Sequence, residues 1–308
     1  MSVMEFGPTS SLMPVKESGC RDASGPESTQ SNSMQRSLEV VLPNPKLRLQ
    51  FEDLTHDGSR VFLKYIPDPH AVFTRALSDI VAYLYTPPRC KPVDGGIPVV
   101  FEPSLPSTVS VTLILRSFSG VAYTVGLSAD SNHKEIHFSL NYIAGTTKLA
   151  DPAAELIGVI THELVHCYQH TTPENSTGIP QPPSGLIEGV ADFVRLKAGL
   201  VPPHWKRPLS SADLPESWDS GYQRTAFFFE WLEDVKVGTG AIGMLNDRLL
   251  REGYVGEAST HEDDYDKRRG RKHRESSKIQ GFWVGLFGVD VLDLWQEYGK
   301  YLDRSIFQ

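Results

Sequence analysis

Residues 162–166 read His-Glu-Leu-Val-His, and the types and spacing of these residues suit the binding of one metal ion. Two histidines four positions apart on a helix lie on the same face, one turn from each other, so both can bind the same ion. Glu163 follows the first histidine and can take a proton from a water molecule held there. This is the H-E-x-x-H pattern of zinc hydrolases, which makes His162 and His166 the predicted metal ligands.

A catalytic zinc ion needs a third protein ligand and an open position for water. His170 continues the histidine stripe, but in an unbroken helix it lies roughly 12 Å along the axis from His162, too far for one ion. A known solution places a glycine three residues beyond the second histidine and a third histidine three further on. This chain has Gln169 and Thr172 at those positions, so His170 is the weaker candidate.

Glu188 is the preferred third ligand, because it lies on the next predicted helix, beyond a proline-rich turn that can bring the two helices together. Asp192 follows one turn later on the same face, where it can accept the remaining N–H of a ligand histidine and fix its tautomer. Gly189 permits close helix packing. Burying these two carboxylates in a mostly apolar helix would be costly unless they are paired or bound to a metal. The alternative is that both lie on an exposed face.

Periodicity and boundary signals predict the elements that position these residues. Asp151-Pro152 supplies an N-cap and a first-turn proline for a motif helix over 152–170, and Gly199 ends a helix over 186–198. Strands are predicted near 47–51, 109–115, 121–127 and 135–142, a turn at 57–58, and further helices over 69–85, 220–236, 239–252 and 287–303. Strands thus precede the motif and helices follow it.

Composition narrows the function classes. The chain has 308 residues, 40% of them apolar, and a formal charge of −8, which argues against nucleic acid or an anionic membrane as the main partner. Its three cysteines, Cys20, Cys90 and Cys167, form neither a disulfide framework nor a Cys-x-x-Cys site. No apolar run is long enough to span a membrane and no signal peptide is recognised, so the expected location is cytoplasmic.

Two domain-level segments are predicted. Residues 1–44 form a disordered tail, because residues 1–38 are rich in serine, proline, glycine and glutamate and lack an apolar period. Residues 45–308 form one domain that carries a charged loop insertion at 259–279. The basic stretch 267–274 in this insertion is largely offset by acidic neighbours, which favours a solvated loop over nucleic-acid binding.

The stretch 185–199, with Glu-Gly-Val-Ala-Asp at 188–192, resembles the signature of the plant basic secretory protein family. These are zincin-like metallopeptidases that are also present in fungi and bacteria. The similarity continues over 203–205, 218–226 and the Leu294-Trp295 helix, and upstream over 111–116, 120–123 and 134–139. The acidic charge, the missing secretion signal and the insertion depart from the family pattern, but none of them affects the metal-site residues.

The resemblance implies an α+β, zincin-like metallopeptidase fold, with an N-terminal mixed or antiparallel sheet and active-site helix followed by a helical half. It implies zinc as the cofactor and a peptide or protein as the substrate, and it leaves secretion open. Nucleic acid and membrane are not expected partners. The strand over 135–142 could bind an extended substrate along its edge, or it could be an ordinary half-buried strand.

The family pattern places the metal on His162 and His166, with Glu163 as the catalytic residue, and with Glu188 it gives a gluzincin-like site. Tyr222 is predicted to stabilise the oxyanion, because it lies in a run that resembles the family's, and His204 is the second choice. The predicted function is a zinc metallopeptidase with a glutamate general base. A catalytically silent scaffold of the same fold and a zinc hydrolase of a non-peptide bond stay open as alternatives.

Overall fold

The computed structural model describes residues 42–89, 101–173, 176–256 and 281–305. The predicted tail over 1–44 falls almost wholly outside these ranges, and the predicted insertion over 259–279 falls outside them altogether. Within the described ranges, no helix is both long and apolar enough to cross a membrane.

The described residues contain four strands and nine α-helices, which confirms the α+β class. The strands are β1 (Lys46–Phe51), β2 (Ser110–Arg116), β3 (Ala122–Gly126) and β4 (His133–Ser139). The helices are α1 (Asp57–Tyr65), α2 (Pro69–Leu84), α3 (Leu140–Gly145), α4 (Pro152–Tyr168), α5 (Ser184–Lys197), α6 (Tyr222–Trp231), α7 (Ala241–Arg251), α8 (Phe282–Phe287) and α9 (Val291–Ser305). A π-helical segment, Leu232–Lys236, continues α6.

The sheet is mixed and has the strand order β1-β2-β4-β3. Strands β1, β2 and β4 are parallel, and β3 is antiparallel to β4. Both edges of β4 are therefore paired, which excludes the substrate-binding edge as one of the two alternatives for strand 135–142 and leaves the ordinary strand. The strand also ends at Ser139, whose hydroxyl caps α3, so residues 140–142 are helical. The outer strand on this side is β3, which contacts α4.

Alternate residues of β2 and β4 enter the core with at most 1% of their surface exposed: Val111, Leu113, Leu115, Ile136 and Phe138. Helix α4 contacts β3 and β4 and is buried along nearly its whole length, as the apolar residues around its circumference predict. Burying one large apolar side chain contributes about 1.5–3 kcal/mol, so many such contacts fix α4 against the sheet.

Helix α1 occupies a region where the sequence predicts only a turn at Asp57-Gly58. The Nδ1 atom of His56 accepts the backbone N–H of Gly58 at 2.9 Å and so caps the helix. A Cβ atom on Gly58 would lie 2.2 Å from the carbonyl oxygen of Leu140. The glycine therefore serves the close packing of α1 on α3, and that reason cannot be recognised from local sequence.

Helix α5 contacts both α4 and α6. The close packing predicted at Gly189 is made with α6, because a Cβ atom there would lie 2.4 Å from Cγ2 of Thr225. A Cβ atom on Gly185 would lie 1.7 Å from the carbonyl oxygen of Asp219. Because neither glycine has a Cβ atom, α5 can lie close to the start of α6 and the residues before it. This close packing in turn positions Glu188.

Candidate metal centre

His162 and His166 of α4 and Glu188 of α5 bring three potential ligand atoms together. Nε2 of His162 lies 3.1 Å from Nε2 of His166 and 3.2 Å from Oε2 of Glu188. Nε2 of His166 lies 3.8 Å from the same carboxylate oxygen. Ligand atoms bound to zinc at ~2.0–2.2 Å in tetrahedral geometry are ~3.3–3.6 Å apart, so these spacings fit. The three residues could therefore hold a metal ion.

The local sequence explains why the two histidines are presented together. Asp151 caps α4 by accepting the N–H of Ala154 at 2.9 Å, and Pro152 occupies its first turn. The helix then runs without a break through both histidines to Tyr168.

Asp192 holds His162 from behind the ligand group. Its Oδ1 atom lies 2.7 Å from Nδ1 of His162 and accepts the N–H of that nitrogen, and only 3% of Asp192 is exposed. Burial alone lowers the pKa of His162, but the hydrogen bonds to Asp192 and Glu188 outweigh it and raise that pKa to about 10. The sequence predicts that Asp192 contacts a candidate ligand histidine, and the structure contains this contact with His162.

The second histidine responds in the opposite direction. Burial, followed by the charge on His162, lowers the pKa of His166 to about 4. Since the two Nε2 atoms face each other, only one of them can carry a hydrogen. Before an ion binds, His162 is therefore the charged ring and His166 the neutral one.

Glu163 lies beside the ligand group and is 6% exposed. Its Oε2 atom is 2.8 Å from Oγ1 of Thr124 on β3, and the Thr124 hydroxyl is also 3.0 Å from the Glu163 carbonyl oxygen. Burial raises the pKa of Glu163, while the charge of His162 and the Thr124 hydrogen bond act against that rise. Glu188 behaves differently, because contact with His162 and His166 outweighs its burial and lowers its pKa.

Both residues predicted for the oxyanion, Tyr222 and His204, border the same cleft. The Tyr222 ring is nearly parallel to the His162 ring, at 13°, with the ring centroids 6.2 Å apart. Tyr222 has a positive φ of 48° and follows Gly221, whose φ is 78°. The charge of Glu188, and then burial, raises the pKa of Tyr222, so its hydroxyl keeps a proton to donate.

His170 lies apart from the ligand group, because α4 ends at Tyr168. Gln169 takes an extended conformation, with φ −75° and ψ 150°, and the chain leaves the helix axis there. The His170 ring then lies with Nε2 2.8 Å from the carbonyl oxygen of Ser104, and its backbone N–H donates to Oδ1 of Asn246 at 2.8 Å.

A cleft of about 830 Å³ passes over the ligand group. Strand β3 forms one wall through residues 121–124. Glu155, Arg195 and Trp205 border the cleft as well. The volume lies within the range of small-molecule and cofactor pockets, and among the described strands β3 pairs with β4 alone.

A family model described as a peptidase of plants and bacteria matches residues 44–298. The chain belongs to this family, BSP. The match spans every strand and the helices that carry the ligand group, and it confirms the resemblance to basic secretory proteins seen in the sequence. Comparisons with curated proteins and with solved structures returned no match.

Two residues of this BSP site escape sequence reasoning. Thr124 belongs to a predicted strand, but periodicity does not reveal which strand lies beside α4. In the sequence, Gln169 is noted only because it stands where a site with a third histidine would have glycine. In the structure, its Nε2 atom lies 3.0 Å from Nδ1 of His166. Finding Thr124 requires the order of the strands in the sheet, and finding Gln169 requires the position at which the motif helix ends.

Proposed function

We propose that this BSP protein is a zinc-dependent peptidase that hydrolyses peptide bonds with Glu163 as the general base. The observation that supports this most strongly is the convergence of three ligand atoms beside the Glu163 carboxylate in an open cleft. Two imidazoles and one carboxylate form the donor set of a catalytic zinc site, which leaves a position for water. The peptidase description of the BSP family supports the same reaction class.

Zinc held by His162, His166 and Glu188 would supply a Lewis acid that lowers the pKa of water and polarises the substrate carbonyl. Glu163 takes a proton from the attacking water and delivers it to the leaving amine. Burial raises the pKa of Glu163, which brings a carboxylate closer to the range useful for both transfers. The Tyr222 hydroxyl donates to the oxyanion that develops on the carbonyl.

The substrate is proposed to bind as an extended chain along the outer edge of β3. One side of this strand is paired with β4 in the described sheet, while residues 121–124 border the cleft. Backbone groups along such an edge can bind a peptide by adding a strand. Thr124 connects this edge to Glu163. A sheet with its outer antiparallel strand beside the motif helix is also why we infer a zincin-like architecture.

The decisive experiment compares the wild type with Glu163→Gln. Zinc content of both proteins is measured by elemental mass spectrometry, and cleavage is followed with casein and with a peptide library. We expect both proteins to bind zinc, and the cleavage rate to fall by roughly 10²–10⁴-fold in the variant, because an amide cannot carry the proton. Glu216→Gln, at an exposed position that does not line the cleft, provides a matched control with wild-type cleavage.

The outcomes separate the competing functions. Zinc binding without cleavage by the wild type would favour a scaffold protein. Cleavage only of ester or other non-peptide substrates would assign the zinc chemistry to a different bond. Equal cleavage by the wild type and Glu163→Gln would remove Glu163 from the mechanism.

A further inference from the structure

The side chain of Gln169 turns back from the end of α4 and meets His166. The backbone N–H of Gln169 still donates to the carbonyl oxygen of Val165 at 2.7 Å, but the residue itself is extended. Its Nε2 atom lies 3.0 Å from Nδ1 of His166, and its Oε1 atom is buried without a hydrogen-bond partner among the described residues. A buried carboxamide oxygen without a partner costs free energy and calls for an explanation.

The explanation lies in which nitrogens of the His162 and His166 rings carry hydrogens. Nε2 of His162 lies 3.2 Å from a Glu188 carboxylate oxygen, which has no hydrogen to give, so the hydrogen of that contact belongs to His162. The same nitrogen lies 3.1 Å from Nε2 of His166. A second hydrogen there would clash with the first, so Nε2 of His166 is the acceptor. An imidazole whose Nε2 accepts a hydrogen bond carries its hydrogen on Nδ1, so Nδ1 of His166 is a donor.

An Nδ1–H group needs an acceptor, and the Gln169 group that faces it must then be the carbonyl oxygen. A half-turn of the carboxamide exchanges its nitrogen and oxygen positions and leaves the rest of the side chain in place. This half-turn gives Oε1 the partner it lacks and gives Nδ1–H an acceptor. Metal binding through Nε2 of His166 requires the same Nδ1–H tautomer.

We propose that Gln169 is a positioning residue for His166: its Oε1 accepts Nδ1–H and thereby directs the Nε2 lone pair to the metal. The inference rests on the proposed zinc function. Gln169 is then the counterpart of Asp192, which holds Nδ1 of His162. Glu163, Glu188 and Asp192 already place three carboxyl groups at the centre, so a neutral acceptor avoids a fourth negative charge.

The test measures zinc affinity by competition with a chelator in the wild type, Gln169→Leu and Gln169→Glu. We expect Gln169→Leu to weaken zinc binding by about 10–100-fold, the usual effect of losing such a partner. Gln169→Glu should bind zinc at least as well as the wild type, because a carboxylate can accept Nδ1–H. Gln223→Leu is the matched control, since Gln223 contacts only the backbone N–H of Lys206 in its described hydrogen bonds.

Two results would overturn the proposal. Unchanged zinc affinity in Gln169→Leu would show that the carboxamide positions nothing. Affinity in Gln169→Glu as weak as in Gln169→Leu would show that the Gln169 amide donates, which is the opposite assignment. Circular dichroism of each variant verifies folding.

A second readout does not depend on zinc or on catalysis. Nitrogen-15 NMR of histidine rings in the metal-free protein should report the Nδ1–H tautomer for His166 in the wild type and Gln169→Glu, and a mixture of tautomers in Gln169→Leu. An Nε2–H tautomer in the wild type would refute the inference. If the protein binds zinc but cleaves no peptide, the peptidase proposal fails while the affinity series and this spectrum still test Gln169.

Discussion

A buried ion pair joins α4 to α5 at one end of the cleft. Nη2 of Arg195 lies 3.0 Å from Oε2 of Glu155, and the two side chains are 8% and 2% exposed. The other oxygen of Glu155 accepts the Tyr142 hydroxyl at 2.7 Å, and Nε of Arg195 donates to the carbonyl oxygen of Leu200 at 3.0 Å. The guanidinium packs over Gly158, where a Cβ atom would lie 2.6 Å from Nε.

We predict that Arg195→Met is strongly destabilising, because it leaves the Glu155 carboxylate buried with only the Tyr142 hydroxyl as a partner. Removing one member of a buried pair costs about 3–5 kcal/mol, a large part of the 5–15 kcal/mol of a typical domain. Replacing both, as Arg195→Met with Glu155→Leu, removes the uncompensated charge. The double variant should lose only about 2 kcal/mol, roughly 1 kcal/mol each for the hydrogen bonds of the Tyr142 hydroxyl and of the Leu200 carbonyl oxygen.

The assay is urea unfolding followed by tryptophan fluorescence, arranged as a double-mutant cycle of Arg195 and Glu155. Arg60→Met is the control, because the Arg60–Asp57 pair is exposed, with side chains 68% and 79% accessible, and should contribute less than about 1 kcal/mol. The reasoning is refuted if Arg195→Met costs no more than this control, or if the double variant loses the sum of the two single changes.

Three further predictions concern other parts of the fold. Thr124→Val removes the hydroxyl that donates to Glu163, so cleavage should slow about 10-fold, worth 1.4 kcal/mol, while zinc affinity measured by chelator competition stays the same. Gly185→Ala should cost about 3 kcal/mol or more in urea unfolding, because its Cβ would lie 1.7 Å from a backbone oxygen, whereas Gly145→Ala, with open space around it, should not destabilise. Burial raises the pKa of Glu233, so its folded form keeps a proton that the unfolded chain has released. The unfolding free energy of the wild type should therefore fall relative to Glu233→Gln as pH rises above 4.5, and a constant difference would contradict this.

The local elements of the site could be predicted because their causes are local. An N-cap at Asp151, an apolar circumference and two histidines one turn apart are all readable within the motif helix, which forms at Pro152–Tyr168. Glu188 and Asp192 could be chosen because one turn separates them on α5. The sequence predicts a helix that continues to residue 170, whereas α4 ends at Tyr168, and this earlier end decides both the direction of Gln169 and the separate position of His170.

The non-local arrangement could not be predicted, since strand pairing leaves little trace in a single sequence. β4 pairs with β2 and β3 on its two edges, so the edge beside the cleft belongs to the preceding strand. The hydrogen bond from Thr124 to Glu163 depends on that order. The close packing at Gly58 could not be predicted for the same reason, because the residue it packs against, Leu140, is distant in the sequence.

The conformation of Tyr222 has a consequence for engineering this protein. A bulky residue at φ 48° is strained, typically by about 1–3 kcal/mol, and this one is also 58% exposed, so little packing offsets the strain. Glycine adopts the same backbone without strain. Selection of random variants for heat resistance would therefore enrich Tyr222→Gly. Under the proposed role of Tyr222 at the oxyanion, selection for turnover would remove the same variant, so the two screens would diverge at this one position.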